Sequence, residues 1–292
     1  MPLQNFSSTA DLNGGSGGYI YVNTTNKYAE NYLSGGAKIV AEGGYGKNAG
    51  MGGSGGVIVF GKNFRTGLFN VQINGGLGGT PARSTQSPNP CSNGAAGTAY
   101  FWGLDLLLID NENHISDKYT QISATQRAPQ DYPGEYIMAE NLLIAEGAAL
   151  NVKNLGVNSI LFPTLQMFEN TKILFDLTSV DNFVLKYRNH FSVHESTILD
   201  FTKIKQSVQI QSIAAIGDTE FNLVALGQTT FTNSLLVNAT NIVLNANITD
   251  PNASPSAFNK IQLYATDIYM QPRSSLTASK VFLFSNKTVN IG

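Results

Sequence analysis

A dense group of ionisable side chains lies between Asp176 and Asp200. Carboxylates, bases and imidazoles that converge from adjacent strands are the groups that cleave or hold polysaccharides, and a glycosidase pair needs carboxylates about 5 to 9 Å apart. We therefore treat this stretch as a candidate glycan-contact site. Its candidate residues are Asp176, Lys186, Arg188, His190, His194 and Asp200.

Two imidazoles in this stretch also raise the question of zinc. His190 and His194 would share one face of a strand, because an even number of residues separates them. A zinc site needs further ligands, and the sequence has no HExxH motif. A solvated strand face or turn is the favoured interpretation, and we assign no catalytic, cofactor-binding or metal-binding residue.

Composition excludes some partners. The chain has 292 residues, 42% of them hydrophobic, which is enough for a continuous core. Charged residues make up 13%, against about a quarter in typical domains, so the surface must be rich in Asn, Thr, Ser, Gln and Gly. Such a surface suits secretion or glycan contact. The net charge of −2 and the absence of a Lys/Arg cluster argue against nucleic acid.

The single cysteine, Cys91, excludes an intrachain disulfide, and a buried or loop thiol is favoured over intermolecular pairing. No apolar run reaches the roughly 18 residues that span a bilayer, and the first residues do not resemble a signal peptide. Because the glycine clusters begin already at Gly14, we expect a piece of a longer protein, with any export signal or anchor outside it.

A repeat near 20 residues organises the C-terminal part. Leucines 223, 244, 263 and 283 follow one another at intervals of 21, 19 and 20 residues, each in a run with apolar side chains at every second position. This spacing predicts stacked short strands. The runs are Phe221–Ala225, Ile242–Ala246, Ile261–Ala265 and Val281–Ser285.

Glycine clusters precede strand-like runs in the first third. Gly14–Gly18 leads into Tyr19–Val22, and Gly52–Gly56 leads into Val57–Phe60 after 38 residues. A third copy, Thr98–Phe101, follows 41 residues later. Because these intervals are twice the C-terminal one, we expect two coils in each.

The strands between the glycines argue against a flexible linker. The clusters also lack the aspartates of a calcium-binding β-roll. We expect the glycines to provide turns with positive φ and close approach of backbones.

The alternation of GGSGG and a β-rich run with AKIVAEGGYG or NVQINGGLGG resembles the glycine-rich parallel β-helix repeats of very large protist surface proteins and related eukaryotic proteins. The similar part covers roughly residues 14–101. The resemblance implies a pectin-lyase-like solenoid that serves as a stalk, coat or fibre.

Polar residues and prolines interrupt the pattern after residue 109, and strand-like runs resume near Tyr136. We expect residues 1–109 and 136–292 to form one continuous solenoid, with a loop excursion at 110–135 and another candidate loop at 80–93. No helical pattern long enough for an α/β crossover appears.

Six Asn-x-Ser/Thr sequons are candidate glycosylation sites. Asn247 is the best of them, because it follows Ala246 and should point outward if Leu244 points inward. The six are Asn5, Asn23, Asn238, Asn247, Asn252 and Asn286.

The predicted fold is all-β: a single-stranded, right-handed parallel β-helix with about 20 residues per coil, roughly a dozen coils and a length of about 60 Å. The predicted inward residues are Ile39, Ala41, Val71, Ile73, Phe221, Leu223, Ile242, Leu244, Ile261, Leu263, Val281 and Leu283.

The predicted function is structural: a non-catalytic segment of an extracellular or cell-surface coat, stalk or filament, without a cofactor, that associates through stacked coils. The alternative is a carbohydrate-active enzyme or carbohydrate-binding module built on the same β-helix.

Overall fold

The computed structural model of the chain describes residues 13–23, 31–32, 38–47, 50–61, 64–65, 71–79, 92–123, 125–126, 136–137, 139–153, 158–177, 180–193, 197–200, 203–204, 207–212, 220–230, 234–238, 241–249, 260–272 and 274–292. Most of the described residues lie in strands. The helix among them is one 3-10 turn, Trp102–Leu104. The prediction of an all-β protein is confirmed.

The chain divides into two compact units. The first contains residues 1–103, 108–120 and 146–149, and the second contains residues 104–107, 121–145 and 150–292. The predicted boundaries at residues 109 and 135 stay a prediction. The strands that begin before residue 110 are β1 (Tyr19–Val22), β2 (Asn31–Tyr32), β3 (Ile39–Val40), β4 (Val57–Phe60), β5 (Phe64–Arg65), β6 (Val71–Gln72), β7 (Thr98–Phe101) and β8 (Leu106–Asp110).

The remaining strands lie almost wholly in the second unit. They are β9 (Thr120–Ser123), β10 (Thr125–Gln126), β11 (Tyr136–Ile137), β12 (Asn141–Ala145), β13 (Ala149–Lys153), β14 (Ser159–Met167), β15 (Lys172–Asp176), β16 (Asn182–Val193), β17 (Ile198–Asp200), β18 (Ser207–Ser212), β19 (Glu220–Thr230), β20 (Ser234–Asn238), β21 (Asn241–Thr249), β22 (Lys260–Met270), β23 (Ser275–Thr277) and β24 (Lys280–Ile291).

In the first unit, β1, β4 and β7 pair side by side in parallel. Tyr19 lies opposite Val57, and Val57 lies opposite Thr98. Residues 38 and 41 positions apart are therefore direct neighbours, and the prediction of two 20-residue coils in each interval is wrong. The intervening chain contributes to other sheets instead, because β2 pairs with β5 and β3 pairs with β6.

Alternation along these strands separates a buried face from an exposed one. Ile58, Phe60, Ala99 and Phe101 are fully buried, as the period of two requires. The rings of Phe60 and Phe101, which lie opposite each other in register, stack with centroids 4.6 Å apart and planes 6° apart. Each parallel step thus extends a continuous apolar column.

In the second unit, several long strands take part in two parallel ladders at once. The first half of β16 pairs with β18 and its second half pairs with β19. Likewise, the first half of β22 pairs with β20 and its second half pairs with β21. A separate four-stranded sheet has the order β17, β15, β13, β9.

This double pairing corrects the predicted ladder of four leucines. Leu223 does lie opposite Leu244, and Leu263 does lie opposite Leu283. Leu244, however, lies opposite Met270, and Leu263 lies opposite Val237. The 19 residues from Leu244 to Leu263 lead from one ladder to the other and are not a strand-to-strand step.

The predicted coil length also needs correction. Phe221 and Ile242 are 21 residues apart, but Leu161 and Lys186 lie opposite each other at a separation of 25. Longer connections between the second unit's strands account for the difference, and a single 20-residue period is wrong for the described chain.

Most of the predicted inward residues are buried: Ala41, Val71, Ile73, Ile242, Leu244, Ile261 and Leu263. Ile39 and Leu283 are partly exposed, and the side chains of Phe221 and Leu223 lie outside the described part. Val281 is 39% exposed, contrary to the prediction. It lies opposite the buried Ile261, but on β24 no further described strand covers it.

Among the residues that the structure describes, no helical segment has the length and apolar character needed to span a bilayer.

Candidate functional site

Five extended segments rich in glycine pack together in the first unit, and we name them the glycine bundle: 13–18, 41–46, 50–56, 73–79 and 92–97. Backbone bonds between them recur every third residue. The Gly14 N–H donates to the Met51 carbonyl and the Gly17 N–H donates to the Ser54 carbonyl, both at 2.8 Å. Bonds in a β-ladder recur every second residue, whereas a period of three is that of polyproline II.

Neighbouring segments of the glycine bundle run in both directions. Gly53 and Gly56 donate to the carbonyls of Gly44 and Ala41, so the acceptors descend as the donors ascend. The same antiparallel pattern joins segments 73–79 and 50–56, and 92–97 and 73–79. The glycine bundle is therefore a lattice in which extended backbones with a three-residue period bond to parallel and to antiparallel neighbours.

The glycines are needed here because backbones approach too closely for side chains. A Cβ at Gly53 would overlap the carbonyl oxygen of Gly15, and a Cβ at Gly94 would overlap that of Gly53. The predicted close approach is confirmed. The predicted positive φ is wrong for the glycine bundle, because the described glycine with positive φ is Gly147, at 78°.

The candidate glycan-contact residues are distributed over two sheets. Asp200 lies opposite Leu174, in the sheet that also contains Asp176 on β15. Lys186 and Arg188 belong to β16, in the other sheet, where Lys186 lies opposite Leu161.

Neither imidazole side chain of this stretch belongs to the described part of the chain. The backbone of His190 lies opposite Thr164, but its side chain is outside the described part, and so is all of His194. Within the described ranges, no group of three or more His, Cys, Asp or Glu residues could hold a metal ion.

A polar cluster that the sequence did not indicate joins segment 73–79 of the glycine bundle to the turn after β8. The buried Asn111 Oδ1 accepts from the Gly75 N–H at 2.7 Å, and Asn111 Nδ2 donates to the His114 carbonyl. His114 Nδ1 lies 2.8 Å from the Gly75 carbonyl and 3.3 Å from Asn74 Nδ2. One asparagine thus satisfies both a glycine-bundle amide and a turn carbonyl.

Next to this cluster, three carboxylates lie close together. Burial raises the pKa of Asp110, the Glu112 N–H donates to it and lowers that pKa, and the charges of Glu146 and Glu112 raise it further; the net shift is upward. The Glu112 and Asn113 backbones have positive φ, at 44° and 63°. Asn113 N–H donates to the Glu146 carbonyl at 2.8 Å, so this turn is bonded to the turn at Glu146.

Aromatic side chains are exposed on β1 and in the 3-10 turn that follows β7. Tyr19 is 67% exposed, Tyr21 52% and Trp102 56%. Tyr100 lies beside Trp102 with centroids 6.4 Å apart. The alternation Tyr-Ile-Tyr in β1 is the sequence signal that places both tyrosines on one face.

The sequons differ in how far the structure describes them. Asn23 and Asn286 are exposed, and Asn286 lies in β24. The backbones of Asn238 and Asn247 lie in strands, but their side chains are outside the described part, as are Asn5 and Asn252. Residues 80–91 of the candidate loop at 80–93, which include Cys91, are also outside it. The outward orientation of Asn247 stays a prediction.

Comparison of the chain with known protein families, with curated proteins and with solved structures finds no match.

Proposed function

We propose that the chain is a non-catalytic structural segment of an extracellular coat, stalk or filament protein, and that its strands wind as a right-handed parallel β-helix. The observation that carries this proposal is the double pairing of long strands. One half of such a strand pairs in parallel within one ladder and the other half pairs within a second ladder. The chain therefore has to return repeatedly to the same two faces. Winding is the simplest path that does so without crossing connections.

The glycine bundle supports a mechanical role. Its backbone amides and carbonyls bond to neighbouring segments at 2.6 to 3.0 Å, and its central glycines leave no room for side chains. Such a lattice contains few flexible groups, and its stiffness comes from backbone bonds rather than from side-chain packing. A rod or coat uses this property, whereas a catalytic pocket requires converging side chains.

The extracellular location rests on composition. Charged residues are only 13% of the chain and six sequons are present, a combination that fits a glycosylated surface protein. Peptide mapping of protein from its native source tests this part. Occupied sequons would support it, and six unmodified asparagines would remove the support.

Negative-stain electron microscopy with multi-angle light scattering tests the structural role. We expect elongated particles or stacked assemblies whose length grows with concentration. Compact monomers at all concentrations would contradict the proposal. A reducing-end release assay on a polysaccharide panel is the second arm, and reproducible cleavage by the purified chain would replace the structural role with an enzymatic one.

Glycan binding without cleavage is a second candidate, favoured by the exposed aromatic face around Tyr19, Tyr21 and Trp102. Sugar rings present apolar C–H faces that pack against aromatic rings. A glycan array with the Tyr19→Ala/Tyr21→Ala double variant tests it. Tyr45→Ala is the matched control, because Tyr45 is an exposed tyrosine in segment 41–46, outside β1 and β7. Retention of all binding by the double variant would exclude this face.

A further inference from the structure

The last strand, β24, has one paired edge. It pairs in parallel with β22 from Lys280 to Ser285 and again from Thr288 to Ile291, with a register shift between the two runs, and no strand of the described residues pairs with its other edge. An edge of twelve residues offers a row of backbone donors and acceptors to another strand. β24 is therefore a template for strand addition.

Buried rows of the second unit continue onto this edge and become exposed there. Ile261 and Ile268 are fully buried, but the residues opposite them, Val281 and Val289, are 39% and 42% exposed. Ile291, opposite Met270, is 65% exposed. On β22, these rows of core side chains are covered by β24. On β24, the same rows are exposed, and a further strand would cover them.

Aromatic side chains on the outer face are exposed at the same edge. The rings of Tyr264 and Phe284 stack with centroids 4.5 Å apart and planes 5° apart. Phe282 and Phe284, neighbours on β24, are both exposed.

The sequence of β24 is complementary to itself in one antiparallel register. If Asn286 lies opposite the partner's Asn286, then Val281 lies opposite the partner's Ile291 and Leu283 opposite the partner's Val289. Every apolar residue of the core-facing row then meets another one, because directly opposite residues of antiparallel strands share a face.

The two lysines of β24 select this register. With Asn286 at the centre, Lys280 lies opposite the partner's Gly292 and Lys287 opposite the partner's Ser285. A shift of the centre to Ser285 would place Lys287 opposite the partner's Leu283. A shift to Lys287 would place that lysine opposite the partner's Lys287, and like charges directly opposite are destabilising.

We propose that two copies of the chain associate through β24 in antiparallel pairing, with Asn286 on the two-fold axis. This inference rests on the proposed structural function and names the edge by which copies join. A two-fold contact is closed, so it joins two copies through their β24 edges and leaves further growth to another surface. It also requires an unmodified Asn286, because a glycan there would occupy the axis.

Single cysteines in the Cys91→Ser chain locate the axis. Asn286→Cys, Ser285→Cys and Lys287→Cys are oxidised mildly and followed on non-reducing gels. Directly opposite Cα atoms are about 4.5 to 5.5 Å apart, within disulfide reach. We expect Asn286→Cys to form the covalent dimer at least about tenfold faster than the other two. A faster Ser285→Cys or Lys287→Cys would overturn the register.

Light scattering of unglycosylated protein tests the edge itself. The unsubstituted chain should dimerise with rising concentration, and Val289→Lys should be monomeric with an unchanged circular dichroism spectrum. Tyr45→Lys, an exposed substitution in the first unit, is the control and should still dimerise. A monomeric unsubstituted chain, a dimer that survives Val289→Lys, or complete occupancy of Asn286 in native material would each refute the inference. Filaments that survive Val289→Lys would refute the β24 contact but leave the structural function standing.

Discussion

Leu244 lies opposite Leu223 on one side and opposite Met270 on the other. It is fully buried and contacts strands that are neighbours in space but far apart in the chain. A charge at this position would disturb three strands of the second unit together.

We expect Leu244→Asp to lower the free energy of unfolding by about 3 to 5 kcal/mol, because the substitution both creates a cavity and buries a carboxylate. Val243→Asp is the matched control, since Val243 is the next residue on the same strand and is partly exposed. It should cost roughly 1 kcal/mol or less. Urea unfolding measures both, and equal losses would contradict the assigned faces of β21.

Sequence predicted the strands better than their partners. Alternation placed Ile242 and Leu244 on a buried face, as observed, because a period of two is a local property of a strand. Pairing depends on the length of the connections between faces, which no local pattern encodes. For this reason the spacing predicts Leu263 as the neighbour of Leu244, whereas Leu263 pairs with Val237.

Glycine spacing was informative in the same limited way. It indicated close backbone contact correctly, but the period of three in the bonds of Gly14 and Gly17 emerges only when their acceptors, Met51 and Ser54, are known. The candidate site has the same limit. Asp176 and Lys186 are close in sequence yet lie in different sheets.

Glycine substitutions in the glycine bundle should change stability according to the space available to the new Cβ atom. Gly53→Ala forces a methyl group into the Gly15 carbonyl and should cost about 3 kcal/mol or more, as severe overpacking does. Gly15→Ala is the control, because nothing lies within 4 Å of the new Cβ and its φ is not positive. That variant should be neutral or up to about 1 kcal/mol more stable. Thermal unfolding compares the two, and similar effects would rule out the packed lattice.

The hydrogen bonds that Asn111 makes with the Gly75 N–H and the His114 carbonyl, here called the Asn111 bridge, should contribute strongly to the free energy of unfolding. Asn111→Ala leaves the Gly75 N–H and the His114 carbonyl without this partner, and we expect a loss of about 2 to 4 kcal/mol. Ile115→Ala is the control in the same turn, since Ile115 is well exposed and should change stability by less than about 1 kcal/mol. Hydrogen exchange at Gly75 gives a local measure, and unchanged protection in Asn111→Ala would contradict the bridge.

Two aspartates of the first unit should respond to pH in opposite directions. Because burial raises the pKa of Asp110 in the folded state, its ionisation destabilises the fold as pH rises from about 4, where an unfolded aspartate titrates. Asp110→Asn removes that penalty and still accepts from the Glu112 N–H. Its stability relative to the unsubstituted chain should therefore increase between pH 3.5 and pH 7.

Asp117 provides the opposite case. Slight burial raises its pKa, but hydrogen bonds from Lys118 and Ser92 and the Lys118 charge lower that pKa overall. The stability it contributes is present above about pH 4 and is lost as the pH falls through the folded-state pKa. The stability of Asp117→Asn relative to the unsubstituted chain should therefore decrease between pH 3.5 and pH 7. The decrease should be small, because the Lys118–Asp117 ion pair is exposed. Urea unfolding across this range measures both variants, and trends of the same sign would contradict the assigned environment of Asp110.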